Sequence, residues 1–364
     1  MDNFNRLNQI DSEHGSLGFI KTESGKSKKI IDFSANISPL RYSGLKNLIL
    51  KNIDSVFYYP EPGNKKVTES IADYLKTSPE NVIVGNGTSE LIYLIAHTFN
   101  PESALIPAPT FSEYERAMNA INAKILFLNL DENFKFPIDR VKELEGDILF
   151  LCNPNNPTGN LLFSREEIYK ISKNFSIVVV DESFMEFIDD EERQTIINGF
   201  KNKNFIVLRS FSKFFGLPGL RLGCAVADKN IIRKLNANLN PWNINSPAIE
   251  TIPEILNEKF KIEKFKKATH TFIEKEKKFI RSELKKIEGV HVYRSVTNFL
   301  LINVPVNSFL LTQKLYENGI FVRDCGNFRN LGNNYIRVCI CSHKDNEKFI
   351  NKFMKALELE FQRY

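Results

Sequence analysis

The sequence has few of the residues from which disulfide frameworks, metal sites and membrane spans are built. Only five cysteines occur in 364 residues, and no two of them have C-x-x-C spacing. No clustered histidines accompany them, so we expect neither a disulfide framework nor a metal site. No apolar run approaches the roughly 18 residues that a membrane-spanning helix needs, and the N-terminus has no apolar signal segment. We therefore predict a cytoplasmic protein that does not bind membranes.

A strong charge of one sign is also missing. The formal net charge is +5, and basic residues are mixed with acidic ones, as in residues 274–286. Such mixing is typical of solvated helix faces and does not indicate nucleic-acid binding. The hydrophobic content of 42% is enough for a large core. At this length it predicts one large domain and a smaller one.

Apolar strand patterns alternate with helical patterns through the first two thirds of the chain. The predicted strands lie near residues 82–84, 104–106, 124–130, 147–152, 177–180 and 205–208. Fully apolar strands that alternate with helices predict an α/β fold, a three-layer αβα domain with a mainly parallel sheet. Ser164 and Glu167 have the spacing of a capping box at the start of one helix.

The pattern changes beyond about residue 240. A long charged helical run covers residues 258–287, strands follow near 291–304, 319–323 and 335–341, and a closing helix covers 344–361. We predict a large domain of residues 41–245 and a smaller α+β domain of residues 246–364, which packs with an N-terminal arm of residues 1–40. Cys339 and Cys341 alternate like two residues on one face of a strand.

A glycine turn between a strand and a helix predicts an anion site. Gly85, Gly87 and Thr88 follow the apolar run of residues 82–84 and open a helix. Backbone N–H groups and the helix dipole at such a turn attract anions. A dinucleotide fingerprint is the alternative interpretation, but Glu90 stands where its third glycine belongs, and the turn lies far from the N-terminus.

The most informative segment runs from Arg209 to Gly223, Arg-Ser-Phe-Ser-Lys-Phe-Phe-Gly-Leu-Pro-Gly-Leu-Arg-Leu-Gly. Aromatic neighbours of Lys213 would partly desolvate its amine, which favours the neutral, nucleophilic form. Ser210, Ser212 and Arg221 are suited to hold an anionic group beside it. A lysine next to a phosphate grip suggests pyridoxal 5'-phosphate.

This segment resembles the cofactor-lysine motif of fold-type I pyridoxal-phosphate enzymes, the aspartate aminotransferase superfamily, and the resemblance covers roughly residues 30–360. It implies that Lys213 links to the cofactor and that Asp181 keeps the pyridine nitrogen protonated. It further implies that Asn156 binds the phenolic oxygen and that Phe111 stacks on the ring. The residues implied at the phosphate are Gly87, Thr88, Ser89, Ser210, Ser212 and Arg221. Tyr59 matches a tyrosine that reaches the neighbouring subunit's site, which implies a homodimer.

Within this superfamily several strings are most similar to threonine-phosphate decarboxylases, near relatives of histidinol-phosphate aminotransferases. They are His14-Gly15 followed by residues 32–37, and residues 109–117, 181–187 and 322–328. The resemblance implies that His14, Asn36, Arg323 and Arg337 bind the substrate, with Arg337 on its carboxylate. Two departures stand out. Ser16 replaces a second glycine after His-Gly, and Phe184 replaces a tyrosine of aminotransferases.

The implied reaction is decarboxylation of L-threonine O-3-phosphate to (R)-1-amino-2-propanol phosphate, used in the nucleotide loop of cobamides. L-Serine O-phosphate lacks one methyl group, and a methyl group discriminates by only about 10- to 200-fold. Histidinol-phosphate aminotransfer is the alternative activity. A DNA-binding regulator on the same fold would need a separate helix-turn-helix domain, and no spare segment is long enough to form one.

Overall fold

The computed structural model describes residues 30–138, 144–198 and 203–361. The chain forms two compact units. The larger unit comprises Leu40–Asn156 and Asn160–His270; the smaller comprises the described residues up to Pro39, Pro157–Gly159 and the chain from Thr271 onward. The boundary predicted from the sequence lies after residue 245, and the predicted domain limits stay a prediction.

The strands, in chain order, are β1 (Ile31–Asp32), β2 (Val82–Gly85), β3 (Ser103–Ala108), β4 (Lys124–Asn129), β5 (Gly146–Cys152), β6 (Phe175–Asp181), β7 (Phe205–Ser210), β8 (Gly223–Ala227), β9 (His291–Val292), β10 (Phe299–Asn303), β11 (Ile320–Phe321), β12 (Arg323–Asp324) and β13 (Tyr335–Cys339). The α-helices are α1 (Leu45–Lys51), α2 (Lys65–Tyr74), α3 (Thr88–Phe99), α4 (Glu113–Ala120), α5 (Arg165–Ile171), α6 (Glu191–Gln194), α7 (Phe211–Phe214), α8 (Lys229–Asn238), α9 (Ser246–Asn257), α10 (Lys259–Leu284), α11 (Ser308–Glu317) and α12 (His343–Phe361).

The larger unit is built on a seven-stranded sheet in the order β2-β8-β7-β6-β5-β3-β4. All neighbouring pairs are parallel except the two that β8 makes, which are antiparallel. Alternate apolar residues of the central strands pack against α3, α4 and α8 on one face, and the residues between them are buried as well. Both faces are therefore covered, which confirms the predicted α/β fold with a mainly parallel sheet.

The structure also contains the predicted capping box and the predicted long helix. The Ser164 hydroxyl accepts a hydrogen bond from the Glu167 amide, and the Glu167 carboxylate accepts one from the Ser164 amide, so the predicted capping box opens α5. The long charged run forms the 26-residue helix α10. Among the described residues, no helix is both long enough and apolar enough to cross a membrane.

The smaller unit contains an antiparallel sheet in the order β12-β13-β10-β9 and a parallel pair, β1 with β11. The pairing of β12 with β13 sets Arg323 directly opposite Arg337. Directly opposed residues of an antiparallel pair have neighbouring Cβ atoms, so the two guanidinium groups start from adjacent positions.

Candidate active site

The predicted site residues of the larger unit lie where parallel strands end. Phe111 follows β3, Asn156 follows β5, Asp181 is the last residue of β6, and Ser210 is the last residue of β7. These strands are parallel neighbours, so their carboxyl ends lie along one edge of the sheet. Open α/β sheets bind ligands at this edge.

Asp181 is held in a fixed orientation. One carboxylate oxygen accepts a hydrogen bond from the Tyr114 hydroxyl (2.7 Å), and the other accepts one from the Ser183 amide (2.9 Å). Tyr114 stacks on Phe150 and makes an edge contact with Phe111. The carboxylate is only 4% exposed, so its charge acts in a medium of low polarity.

Lys213 lies in the short helix α7, directly after β7. Its Nζ atom lies 4.2 Å from the centre of the Phe184 ring. Phe211, Phe214 and the adjacent Phe215 are buried, as the aromatic sequence around the lysine suggested. The structure thus brings together Lys213 and the phenylalanine that replaces a tyrosine of aminotransferases.

Cys152, the last residue of β5, connects these groups. The pKa of its thiol is raised to about 12, mainly by burial and then by the nearby Asp181 carboxylate, whereas the charge of Lys213 opposes the rise. The Tyr114 hydroxyl and the Asn156 amide also hydrogen-bond the sulfur. Asp181, Tyr114 and Asn156 therefore lie around this buried sulfur atom, and Lys213 is close enough to act on it electrostatically.

A polar cradle lies at the start of α3. Gly87 has a φ of 81°, and a Cβ atom there would collide with the Arg221 guanidinium. A Cβ atom on Gly223 would lie 2.8 Å from the Thr88 amide nitrogen. Gly223 pairs with Ser210 in the sheet, so Ser210, Arg221 and the first turn of α3, which carries Ser89, are neighbours.

The cradle has free hydrogen-bonding capacity. Gly87, the N-cap residue of α3, has no side chain that could cap the helix, so the first N–H groups of α3 are available to a ligand. The Ser212 hydroxyl oxygen is buried and has no hydrogen-bond partner within the described ranges. Exposed helix N–H groups, a guanidinium and serine hydroxyls are the groups that bind phosphate in proteins.

A buried ion cluster joins the strands that carry Asp181 and Ser210. Arg209 on β7 lies 3.0 Å from a carboxylate oxygen of Glu182 and 3.5 Å from one of Glu186. Glu182 also accepts hydrogen bonds from the Thr195 hydroxyl and the Ile196 amide. All three charged side chains are buried, and their ion pairs hold the ends of β6 and β7 in register.

The cluster predicts a pH-dependent stability. Burial raises the pKa of Glu186 from 4.5 to about 7, with Arg209 opposing the rise. The folded chain therefore holds this proton more tightly than the unfolded chain. The resulting stabilisation is complete below pH 4.5 and is lost as the pH rises through 7.

We expect Glu186→Gln to remove this part of the pH dependence. From pH 5 to pH 8, the Tm of the unmodified protein should fall relative to that of the variant, measured by calorimetry. Glu166→Gln, at an exposed position on α5, is the control and should follow the unmodified protein. Parallel Tm curves for Glu186→Gln and Glu166→Gln would contradict the assignment.

The smaller unit holds the predicted substrate residues in a basic cluster. Arg337 donates a hydrogen bond to the Ser34 carbonyl (2.8 Å), and Arg323 donates one to the Asn327 side chain (2.8 Å). Burial lowers the pKa of Arg337 to about 10; Cys325 opposes this shift and Arg323 adds to it. Asn36 is buried, and its side-chain oxygen has no hydrogen-bond partner in the part of the chain that the structure describes.

One predicted residue lies apart from these clusters, and another falls outside the described residues. Tyr59 is 83% exposed, and its ring lies 5.0 Å from that of Trp242. His14 lies outside the described residues.

Comparison with known proteins shows which fold family has this arrangement. The sequence profile of the family "Aminotransferase class I and II" matches residues 28–353. The chain belongs to the class I and II aminotransferase family. A histidinol-phosphate aminotransferase of Thermoanaerobacter pseudethanolicus is 35% identical over 336 residues, which cover 89% of this chain and 92% of that protein.

Two solved structures resemble the class I/II chain closely. The histidinol-phosphate aminotransferase of Clostridium acetobutylicum has a TM-score of 0.81 and 30% identity, covering 89% of this chain and 98% of that one. The L-threonine-O-3-phosphate decarboxylase of Porphyromonas gingivalis has a TM-score of 0.80 and 28% identity, and the match covers 90% of this chain and 99% of that one. Both activities therefore occur among its relatives.

The family membership makes this chain a pyridoxal-phosphate-dependent enzyme of fold type I. The described residues fit that cofactor. The Ser212 hydroxyl, for which the described residues provide no partner, suits its phosphate together with the start of α3 and Arg221, and the buried Asp181 suits its ring nitrogen. Lys213 supplies an amine in the same cluster.

The sequence analysis assigned no role to three features of this class I/II site: Tyr114, Cys152 and the ion cluster of Arg209. Tyr114 could have been found, because it lies three residues after Phe111 and therefore on the same side of a helical turn. Arg209 gave a weaker signal, a charged residue at the end of an apolar strand pattern.

Proposed function

We propose that this chain decarboxylates L-threonine O-3-phosphate to (R)-1-amino-2-propanol phosphate, with L-serine O-phosphate as a possible second substrate. The observation that carries the proposal is the pair of buried arginines, Arg323 and Arg337, on facing residues of β12 and β13. Two buried guanidinium groups repel each other, and an anion bound to each offsets that repulsion. A phosphorylated amino acid carries two such anions, a phosphate and a carboxylate.

We propose that Arg337 binds the carboxylate, while Arg323 and Asn36 contribute to the phosphate. His14, by resemblance, is a further phosphate ligand. Guanidinium groups form paired, charge-assisted hydrogen bonds with both kinds of anion. Arg337 is already oriented by the Ser34 carbonyl and by the Phe299 ring, 5.4 Å from its guanidinium carbon. An oriented arginine fixes the direction of the carboxylate, and that direction decides whether CO2 or a proton leaves Cα.

The roles in the larger unit follow from the cluster around Cys152. Pyridoxal phosphate, when bound, supplies an electron sink for the bond that breaks. Asp181, fixed by Tyr114 and Ser183, accepts a hydrogen bond from the protonated ring nitrogen and keeps it charged. The Lys213 amine delivers a proton to Cα after CO2 has left, as a general acid. Gly87, Thr88, Ser89, Ser210, Ser212 and Arg221 bind the cofactor phosphate, Asn156 its phenolic oxygen, and Phe111 its ring.

Phe184 supports decarboxylation over aminotransfer. It stands three residues after Asp181, where aminotransferases of the resembled family carry a tyrosine, and its ring contacts Lys213 Nζ. A phenylalanine has no hydroxyl group to donate to the cofactor. The electronic environment of the lysine therefore differs from that of an aminotransferase. Histidinol-phosphate aminotransfer remains the second candidate, because a relative of that name is 35% identical.

A substrate screen with product identification tests the proposal. The holoenzyme is incubated with phosphothreonine, phosphoserine and histidinol phosphate, each with and without a keto-acid acceptor. Release of CO2 from phosphothreonine without an acceptor supports decarboxylation. Acceptor-dependent conversion of histidinol phosphate, with no CO2 from the phosphorylated amino acids, would replace the proposal by the second candidate.

The proposed role of Arg337 makes a quantitative prediction. A hydrogen bond to a charged group contributes about 1.5–3 kcal/mol, so Arg337→Gln should raise the KM for phosphothreonine about 10- to 100-fold. The visible absorbance of the bound cofactor should not change. Arg329→Gln, at an exposed position of the same unit, is the control. An unchanged KM in steady-state assays would show that Arg337 does not bind the substrate carboxylate.

We also propose that the enzyme is a cytoplasmic homodimer in which Tyr59 reaches the partner's site. Besides Tyr59, the exposed large apolar side chains of residues 50–58 are Leu50, Ile53, Val56, Phe57 and Tyr58, and the exposed Trp242 ring lies 5.0 Å from that of Tyr59. An exposed apolar patch marks an interaction surface. Sedimentation should give twice the chain mass, and a monomer at micromolar concentration would contradict the proposal.

A further inference from the structure

Two thiols of the smaller unit lie close together near the proposed substrate arginine. The Sγ atoms of Cys339 and Cys341 are 3.5 Å apart. Both sulfur atoms also lie within hydrogen-bonding distance of the carbonyl oxygen of Asp32, at 3.8 and 3.7 Å. The sequence pattern placed these residues on one face of a strand; β13 ends at Cys339, and Cys341 follows two residues later with its sulfur on the same side of the chain. The remaining cysteines, Cys152, Cys224 and Cys325, are all buried.

The two thiols differ in their access to solvent. Cys339 is 2% exposed, whereas Cys341 is half-buried. The hydrogen bond with Cys341, followed by burial, raises the pKa of Cys339 well above its usual value. Cys339 therefore keeps its proton while Cys341 faces reagents from solution. This is the arrangement of an attacking thiol with a resolving thiol beside it.

We propose that Cys339 and Cys341 form a reversible redox site that a hydroperoxide oxidises to a disulfide. The Cys341 thiolate attacks one peroxide oxygen, the O–O bond breaks, and the alcohol or water leaves with a proton. The resulting sulfenic acid on Cys341 is attacked by the sulfur of Cys339, which expels water and closes the S–S bond. Overall, two thiols lose two electrons and two protons, and the peroxide is reduced to an alcohol and water, or to two waters.

The chain around this dithiol is held in place on both sides. The Cys341 amide donates to the Asn346 side chain (3.0 Å), and the Asn346 amide group donates back to the Cys341 carbonyl (3.0 Å). The Cys339 amide donates to the Phe33 carbonyl (2.8 Å). Two residues of extended chain span about 6.6–7.2 Å, at or beyond the upper end of the usual disulfide range of about 4.4–6.8 Å. Closing the bond therefore shortens this segment, and such a disulfide is easily reduced.

Oxidation changes the contacts that orient Arg337. It removes the S–H hydrogens of both cysteines, and with them any hydrogen bond to the Asp32 carbonyl, and it shifts the Cys339 amide against Phe33. The next residue, Ser34, supplies the carbonyl that holds the Arg337 guanidinium. Oxidation should therefore weaken substrate binding while the cofactor stays bound. This consequence rests on the proposed role of Arg337, whereas disulfide formation does not.

The test treats holoenzyme with hydrogen peroxide, alkylates the remaining thiols and maps the peptides by mass spectrometry. We expect the peptide with Cys339 and Cys341 to lose two hydrogens and both alkylation sites, and dithiothreitol to restore them. Cys224→Ser, a buried position on β8, should behave like the unmodified protein. Cys339→Ser should instead accumulate higher oxides of Cys341. Unchanged thiols, or sulfinic acid at Cys341 in the unmodified protein, would overturn the redox site.

A second readout separates this proposal from the proposed function. In the oxidised protein the KM for phosphothreonine should rise about tenfold, the equivalent of one hydrogen bond to a charged group, and fall back after reduction. If phosphothreonine is not a substrate, the disulfide still forms and the proposed function alone fails. A disulfide that forms without any change in KM would overturn the link to Arg337.

Discussion

Lys213→Ala should abolish turnover and the visible absorbance of the covalently linked cofactor. The amine is proposed both to hold the cofactor and to move a proton at Cα, and general acid–base catalysis alone contributes about 10²–10⁴-fold. We expect kcat to fall by at least about 10⁴-fold, because two functions are lost together. Stopped assays with purified, cofactor-saturated protein measure the rate, and a spectrum of the same sample measures the linkage.

The control for this variant is Lys229→Ala, at an exposed position at the start of α8 in the same unit. It should keep both the absorbance and the rate. If the visible absorbance of the linked cofactor persists in Lys213→Ala, another lysine forms the linkage. A surviving rate without the band would separate the two functions and leave the proton transfer to a different group.

Asp181→Asn should retain the cofactor but slow the reaction by about 10²–10³-fold, the range seen when one oriented electrostatic contact to the reacting system is removed. The amide keeps the size of the side chain and its contact with Tyr114, but it carries no charge to stabilise a protonated ring nitrogen. Single-turnover kinetics measures the effect, and spectroscopic titration with pyridoxal phosphate shows whether the cofactor still binds.

Asp147→Asn is a matched control for Asp181→Asn. Asp147 lies near the amino end of β5, in the same sheet but at the opposite edge, and its carboxylate accepts hydrogen bonds from the Ser103 amide and hydroxyl. Its loss should affect stability and leave the rate unchanged. Equal rates for Asp181→Asn and the unmodified protein would show that the charge of Asp181 does not contribute to the reaction.

The sequence predicted the parts of the fold that follow from local patterns. Apolar strands alternating with helices implied a covered, mainly parallel sheet, and the structure confirms it. The antiparallel direction of β8 did not follow from the pattern. Its residues, Gly-Cys-Ala-Val-Ala, are small and fully buried, and a buried apolar run gives no information on strand direction.

The candidate site was predictable for residues that match a family motif and also lie at the end of a predicted strand. Lys213 and Asp181 are separated in sequence, yet the parallel order of β5, β6 and β7 brings them together. The contact of Tyr114 with Asp181 spans 67 residues and depends on the path of α4 over the sheet. The pairing of Arg209 with Glu182 and Glu186 depends in the same way on strand register, which the sequence alone does not specify.

The contact between Cys339 and Cys341 was predictable in part from the sequence. Alternation placed both residues on one face, because side chains repeat every second residue in a strand. The shared acceptor, the Asp32 carbonyl, lies more than 300 residues earlier and comes from the described N-terminal segment. Only the folded chain shows that the dithiol contacts the Asp32 carbonyl while Arg337 binds the carbonyl of Ser34, two residues later.

The central claim is that the Lys213 amine holds the cofactor at the edge of the sheet where β5, β6 and β7 end. Reduction of the holoenzyme with borohydride, followed by peptide mapping, tests it most directly. We predict one modified peptide, carrying the reduced cofactor on Lys213. Modification of a different lysine, or no adduct after reduction with excess cofactor present, would contradict the account.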